Sequence, residues 1–215
     1  MADEMLVTLN KCNNLMAFIR KLKKPLIMFD FETGSLGHYA EPVQLSGIKV
    51  DPITGEAKSF NAKFNTRGQI DPRASAVHGL TKSILKNESY FDERAKKIKD
   101  FFEGSHLMAY NYNFDVNILV NSLKRANIKF VPAGYIICPL AIEKEKIKTQ
   151  TKLKVSNKLG EVHKRHITEA IDETKLHEAS YDVCCMMRVF DSQLVTFKLS
   201  ESIEKIGKKY KNKIL

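Results

Sequence analysis

The run Leu26 to Phe31, broken only by Asp30, does most to limit what this chain can become. Pro25 precedes it and the turn-forming Thr33-Gly34-Ser35 follows, so the run reads as a short strand buried in a sheet. A strand alternates its side chains. Asp30 and Glu32 therefore leave one face while Phe31 points to the other, and two carboxyl groups converge at the strand's end. Adjacent anions repel and resist desolvation, and a divalent cation makes such a pair tolerable. Taken alone, the pair is a weak signal, and a polar strand end turning into a loop is its commoner meaning. The small residues after it either admit a ligand to the backbone or simply form the turn.

Around this strand the pattern is that of an α/β domain. Val43 to Val50 reads as a second strand, the turn-rich Asp51 to Gly55 follows, and a third strand is expected near Lys58 to Phe64. Short connections make this opening an antiparallel meander. Beyond it, Ser89 is expected to cap a helix with Phe91, Ala95, Ile98 and Phe102 inside, ending at Gly104. A strand at His106 to Tyr110, a helix over Asp115 to Arg125 and a strand at Gly134 to Cys138 then imply a parallel crossover. Helical patterns follow at Ala141 to Ile147, in the lysine-rich stretch to about His166, and at Ala179 to Phe190. The expected architecture is a mixed central sheet that begins antiparallel, with helices on both faces.

Leu15, Phe18, Ile19 and Leu22 predict one amphipathic helix over about residues 11 to 23 that packs on the domain, with residues 1–24 counted outside a main domain at 25–193. The basic segment 194–215 carries Ile203, Ile206 and Tyr210 among lysines, and reads as a docked helix, a partner-binding tail or a frayed end. Thirty-five Lys and Arg against 25 Asp and Glu give a formal charge of +10, which attracts a polyanion such as nucleic acid; lysines that only maintain solubility give the same total. The N-terminus lacks the pattern of a secretory signal, and no apolar run has the length of a membrane span, so a cytoplasmic protein without membrane contact is expected. Cys12, Cys138, Cys184 and Cys185 show no paired CxxC spacing and read as buried free thiols in a reducing compartment.

Three further residues can join the carboxyl pair. Asp115 stands where a strand gives way to a helix; an acid there also complements the helix dipole without any ligand. His177 and Asp182 are five positions apart, which on one continuous helix separates them by roughly 140°. They converge only if His177 lies on the entering loop and Asp182 within the helix. A histidine on a loop is otherwise a surface residue or a satisfied hydrogen-bond partner. His163 and His166 are read as surface residues of the basic helical stretch.

Together these residues fall into one known order. Phe29-Asp30-Phe31-Glu32-Thr33-Gly34, Asn111-Tyr112-Asn113-Phe114-Asp115 and His177-Glu178-Ala179-Ser180-Tyr181-Asp182 resemble the three motifs of the DEDDh family of 3′-to-5′ exonucleases, which includes proofreading subunits of bacterial replicative polymerases. Val77-His78-Gly79-Leu80-Thr81 is similar to the family's loop between its first two motifs. The resemblance spans about Pro25 to Gln193 and implies a ribonuclease H-like fold. Two departures, Pro139 where Ser or Thr is usual and Ser35 within the common Thr-Gly-Leu run, bear on substrate fit and touch no implied ligand.

The resemblance implies two divalent ions, Mg²⁺ or Mn²⁺, on Asp30, Glu32, Asp115 and Asp182, with Asp30 bridging and Asp115 acting partly through water. It implies that His177 is the general base, and that Thr33, Gly34, His78 and Asn111 shape the site near the terminal nucleotide. The expected reaction releases nucleoside monophosphates from DNA, with single-stranded 3′ ends as the substrate. An exoribonuclease and a non-catalytic nucleic-acid-binding module on the same fold are the alternatives. A polymerase partner and a homodimer both remain open.

Overall fold

Strand β1 (Leu26–Thr33) is fully enclosed from Leu26 to Phe29, as its apolar run requires, and occupies the middle of a six-stranded sheet. The structure, a computed structural model, describes residues 2–37, 40–150, 154–199 and 203–209. Strands β2 (Pro42–Val50) and β3 (Ala57–Lys63) form the expected antiparallel meander. The turn between them is held by the Asp51 carboxylate, which accepts hydrogen bonds from the Ile53 and Thr54 N–H groups. Strands β4 (His106–Met108) and β5 (Tyr135–Ile137) extend the sheet in parallel on the other side of β1. A short strand β6 (Lys208–Lys209) then pairs antiparallel with β5, giving the order β3-β2-β1-β4-β5-β6. Gly47 faces Phe29 across the ladder, and a Cβ there would lie 3.0 Å from the Phe29 Cβ, so the close approach of β2 to β1 favours glycine.

Helices cover both faces. On one side α1 (Ala2–Lys11), α2 (Asn13–Ile19) and the long α9 (Ala179–Thr196) pack Met5, Leu15, Phe18 and Phe190 against Met28 and Ile48 of the sheet. Between the sheet strands run α3 (Pro72–His78), α4 (Lys82–Leu85), α5 (Phe91–Phe102) and α6 (Tyr112–Arg125). Of these, α5 and α6 cover the other side, where Phe102 and Leu119 meet Phe29 and Phe31. The Phe29 and Phe102 rings meet edge to face at 4.9 Å, and burial of each such side chain stabilises the fold by about 1.5–3 kcal/mol. Helices α7 (Pro139–Gln150) and α8 (Leu159–His166) and a 3₁₀ turn at Glu173–Lys175 lead into α9. Among the described residues no helix is long and apolar enough to cross a membrane. All four cysteines are buried free thiols.

Several expectations are corrected. The N-terminal segment is two helices broken at Cys12, not one over 11 to 23. The break is stabilised from far along the chain: Asp191 of α9 accepts hydrogen bonds from the Leu15 N–H at 2.8 Å and the Asn14 amide at 3.0 Å. As expected, the segment packs on the domain: both helices share one apolar cluster with β1 and α9. Ser89 does not cap α5: Tyr90 holds the cap position without a side-chain bond, and Ser89 Oγ accepts from Arg94 Nε. His163 and His166 are not surface residues. His163 is 1% exposed, and His166 Nε2 lies 2.9 Å from the buried carboxylate of Glu143. That carboxylate also accepts from Arg165 and Gln193, tying α7, α8 and α9 together. In the basic tail, α10 (Ile203–Ile206) and β6 are docked, with Lys209 Nζ 3.8 Å above the Tyr135 ring; Tyr210 lies outside the described residues.

Candidate active site

Alternation along β1 sends Asp30 and Glu32 to the face shared with Leu26 and Met28, which is the face α9 covers. Asp182 lies in the first turn of α9 and is 8% exposed. Its Oδ1 accepts a hydrogen bond from the His177 N–H at 3.3 Å. His177 stands on the loop before the helix with φ +68°, a left-handed conformation that costs a non-glycine residue energy. The loop-then-helix arrangement is thus the one their five-residue spacing needs for convergence. A Glu32 carboxylate oxygen, a His177 ring nitrogen and an Asp182 carboxylate oxygen all lie within 4.8 Å of one another.

The fourth acid arrives from the other side of the sheet. Strand β4 delivers the chain to Asn111, whose carbonyl accepts from the Phe114 and Asp115 N–H groups to open α6. Asp115 is 2% exposed, and its Oδ1 accepts from the Phe31 N–H at 3.0 Å, between the two β1 acids in sequence. The β1–β2 register shifts between Glu32 and Thr33, and such an irregularity re-aims side chains at a strand end.

No ion pair among the described residues involves these four acids. Burial and mutual repulsion therefore act on them without a neutralising partner among the described residues. Asp30 is pushed well above the usual carboxylate range by burial and then by Asp115, Asp182 and Glu32. Burial, then Asp182 and Asp115, push Glu32 up to about 9. Burial lifts Asp115 to about 7, against the opposing backbone hydrogen bond from Phe31, and lifts Asp182 to about 7. Although Asp30 keeps some surface, its Oδ2 is sealed from solvent and has no hydrogen-bond partner among the described residues. An orphaned carboxylate oxygen amid three other acids fits a bound cation, and the oxygen-rich donor set suits Mg²⁺ or Mn²⁺. Burial and then Lys158 lower the pKa of His177, which favours the neutral imidazole.

The remaining candidates surround this cluster. His78 ends α3; its Nδ1 accepts from the Leu80 N–H at 3.0 Å, so the proton sits on Nε2, 3.2 Å from the Thr33 carbonyl oxygen. Both nitrogens are engaged within the protein, and the ring braces the Thr33 turn. Thr33 Oγ1 donates to the Ser35 carbonyl at 2.7 Å. Gly34 donates to the Glu41 carbonyl and accepts from the Asp71 N–H, closing the loop after β1. Asn111 is exposed, and its side chain makes no capping hydrogen bond. Two residues escaped the sequence reading. Gln44 lies directly opposite Glu32 in the β2 register, 2% exposed, with its amide nitrogen unpartnered among the described residues. A polar residue in the apolar run Val43 to Val50 was the available signal. Lys158 acts on His177, and nothing local in its sequence marks it.

These observations agree with comparison to known proteins. The exonuclease family (RNase_T) matches residues 27–190. DNA polymerase III subunit epsilon of Pasteurella multocida is 30% identical over 108 residues, covering 47% of this chain and 43% of that protein. The match thus spans less than half the length of that curated relative. The zinc-bound E. coli ExoI–ssDNA complex superposes with a TM-score of 0.68 at 16% identity, covering 83% of this chain and 42% of the other. The nuclease domain of 3′hExo, a DEDDh family member bound to rAMP, gives 0.62 at 15% identity, with coverage of 81% and 93%. At such identities the likeness carries the fold, a ribonuclease H-like sheet with helices on both faces. With the family match over most of its length and the three acid-bearing motifs brought to one place, this chain belongs to the exonuclease family.

Proposed function

We propose that this chain is a two-metal 3′-to-5′ exonuclease that removes nucleoside monophosphates from the 3′ end of a DNA strand. The observation that carries the reading is the sealed Oδ2 of Asp30, which among the described residues has no hydrogen-bond partner and lies with three other carboxyl groups that form no ion pair there. Asp30, Glu32 and Asp182 would hold one divalent cation, with Asp30 shared to a second supported by Asp115. Bound there, the cations would supply positive charge to the scissile phosphate and to the leaving sugar oxygen. His177, neutral because burial and Lys158 disfavour its charged form, accepts the proton of the water that attacks phosphorus. The Asp182 carboxylate fixes the His177 backbone, and His78 braces the Thr33 turn beside the terminal nucleotide.

DNA is favoured over RNA by the similarity to a DNA polymerase III subunit. Digestion of labelled single-stranded DNA, duplex DNA and RNA with Mg²⁺ or Mn²⁺ tests the choice, and fastest loss of single-stranded DNA is expected. Preferential loss of RNA would replace this reading with an exoribonuclease. Binding without cleavage of any strand would replace it with a binding module. A second role for His177 follows from its place within 4.8 Å of the Glu32 and Asp182 oxygens, where its nitrogen can ligate a cation instead of taking a proton. Metal titration of His177→Ala separates the two roles.

A further inference from the structure

Next to the two acids of β1, strand β2 presents two more polar side chains to the same face of the sheet. Residues opposed across an antiparallel ladder share a face, and here Leu26 faces Val50, Met28 faces Ile48, Asp30 faces Ser46 and Glu32 faces Gln44. The first two pairs are buried in the apolar cluster shared with α9. The other two continue onto β3 as polar rows, one of Asp30, Ser46 and Asn61, the other of Glu32, Gln44 and Lys63.

The two rows differ in how their middle residue is satisfied. Ser46 Oγ donates to Asn61 Oδ1 at 3.0 Å. Gln44 is 2% exposed, and its Nε2 has no acceptor among the described residues. Native structures satisfy nearly all buried polar groups, so an amide sealed in this way calls for an explanation. On the sheet, Gln44 is flanked on this face by Lys63, by Glu32 and, diagonally, by Asp30 and Asn61. The ammonium of Lys63 can only donate. Diagonal neighbours lie about 7–8 Å away, whereas directly opposed residues have Cβ atoms about 4.5–5.5 Å apart. The carboxyl group of Glu32 is thus the nearest acceptor on the sheet.

Glu32 is the last β1 residue before the β1–β2 register shifts, and beyond it the strand gives way to the Thr33 turn. Gln44, by contrast, is paired in register on both sides, to Glu32 and to Lys63. The more firmly held residue therefore carries the donor, and the residue at the irregular strand end carries the acceptor. A Glu32 oxygen lies within 4.8 Å of a His177 nitrogen and an Asp182 oxygen, where a cation fits. A carboxylate that turns one oxygen to a cation needs its other oxygen held if the ligand is to keep its direction.

We propose that Gln44 is a positioning residue for Glu32: its side-chain amide donates to one carboxylate oxygen of Glu32 and leaves the other directed at the cation. The proposal rests on the reading above, in which Glu32 holds a divalent ion, and adds to it the residue that orients this ligand. An amide suits the task because it donates at every working pH and brings no charge to a site already crowded with acids.

The test compares the full chain with Gln44→Met, Gln44→Asn and Ser46→Ala by Mn²⁺ calorimetry and by thermal unfolding in EDTA. Methionine fills the space of the amide without a donor, and asparagine draws the donor back by one methylene. Both should weaken Mn²⁺ binding by about 10- to 100-fold, the usual effect of removing a partner that orients a metal ligand. Ser46→Ala, one row away, should bind Mn²⁺ as the wild type does. In EDTA, Gln44→Met should melt no lower than wild type, because it no longer buries an unpaired donor. A merely structural Gln44 predicts the reverse, a lower melting temperature with unchanged affinity. Wild-type affinity in Gln44→Met overturns the proposal, as does an equal loss in Ser46→Ala; should Gln44→Met not fold, Gln44→Asn is read by the same criterion. If the wild type binds Mn²⁺ but cleaves no strand, the exonuclease reading fails and Gln44 is still judged by affinity. If the wild type binds no Mn²⁺, the proposal falls together with the cation site.

Discussion

Replacing Glu32 by glutamine should stabilise the metal-free protein at alkaline pH, although it removes a group assigned to the active site. The carboxyl group of Glu32 is raised from its ordinary 4.5 to about 9 by burial and by Asp182 and Asp115. The folded state then holds a proton that the unfolded chain has released. Such a group contributes its full stability below pH 4.5, and the contribution is lost as pH rises toward 9. Each pH unit above the unfolded pKa costs about 1.4 kcal/mol, which at pH 8 sets a ceiling of about 5 kcal/mol. The remaining solvent window and relaxation of the neighbouring acids reduce this, so Glu32→Gln should gain about 2 to 4 kcal/mol at pH 8. For a domain of this size that is a rise in Tm of roughly 5 to 15 °C. Thermal unfolding followed by circular dichroism in EDTA, at pH 4.5 and pH 8, reads it directly. The two proteins should coincide near pH 4.5 and separate at pH 8, and saturating Mg²⁺ should reverse their order, because only the wild type binds the ion tightly. A variant no more stable than wild type at pH 8 in EDTA would refute the view that the acids are packed against their own repulsion.

Other perturbations probe single links. His177→Ala should lower kcat by about 10²- to 10⁴-fold while Mn²⁺ affinity, measured by calorimetry, stays unchanged; lost affinity would make His177 a ligand instead. Burial and Lys158 hold His177 below its ordinary pKa, so the rate should rise with pH through that lowered value. Lys158→Gln removes one of the two causes and should move this acid limb of the pH–rate profile to higher pH; an unmoved limb would detach Lys158 from the base. Glu143→Ala leaves His166 and Arg165 without their buried carboxylate and should cost about 3 kcal/mol in urea unfolding, whereas a loss below 1 kcal/mol would show the cluster to be slack.

Much of the site was legible because its information is local. The apolar run of β1 fixes which residues share a face, and the five-residue gap from His177 to Asp182 demands a loop followed by a helix, which the φ of +68° at His177 provides. The misread elements depend on partners distant in sequence. One helix was expected over 11 to 23 because the cap of α2 comes from Asp191, and because Met5 and Leu9 offer only a sparse stripe behind Asp3 and Glu4. His166 looked like a surface residue because its partner Glu143 lies one helix away. Charged side chains on a basic helix carry no mark of burial until the facing helix is known. Likewise β6 is only two residues long, and its pairing with β5, not its own pattern, makes it a strand.

The central claim is that Asp30, Glu32, Asp115 and Asp182 bind the cations that drive cleavage from the 3′ end. Its most direct test follows a 5′-labelled single-stranded DNA through time with Mg²⁺, with EDTA, and with Mg²⁺ restored in excess. With Mg²⁺, a ladder shortening from the 3′ end should appear; EDTA should abolish it, restored metal should recover it, and Asp30→Asn should show none despite wild-type folding. Cleavage that persists in EDTA, or release of the 5′ label as the first product, would contradict the account.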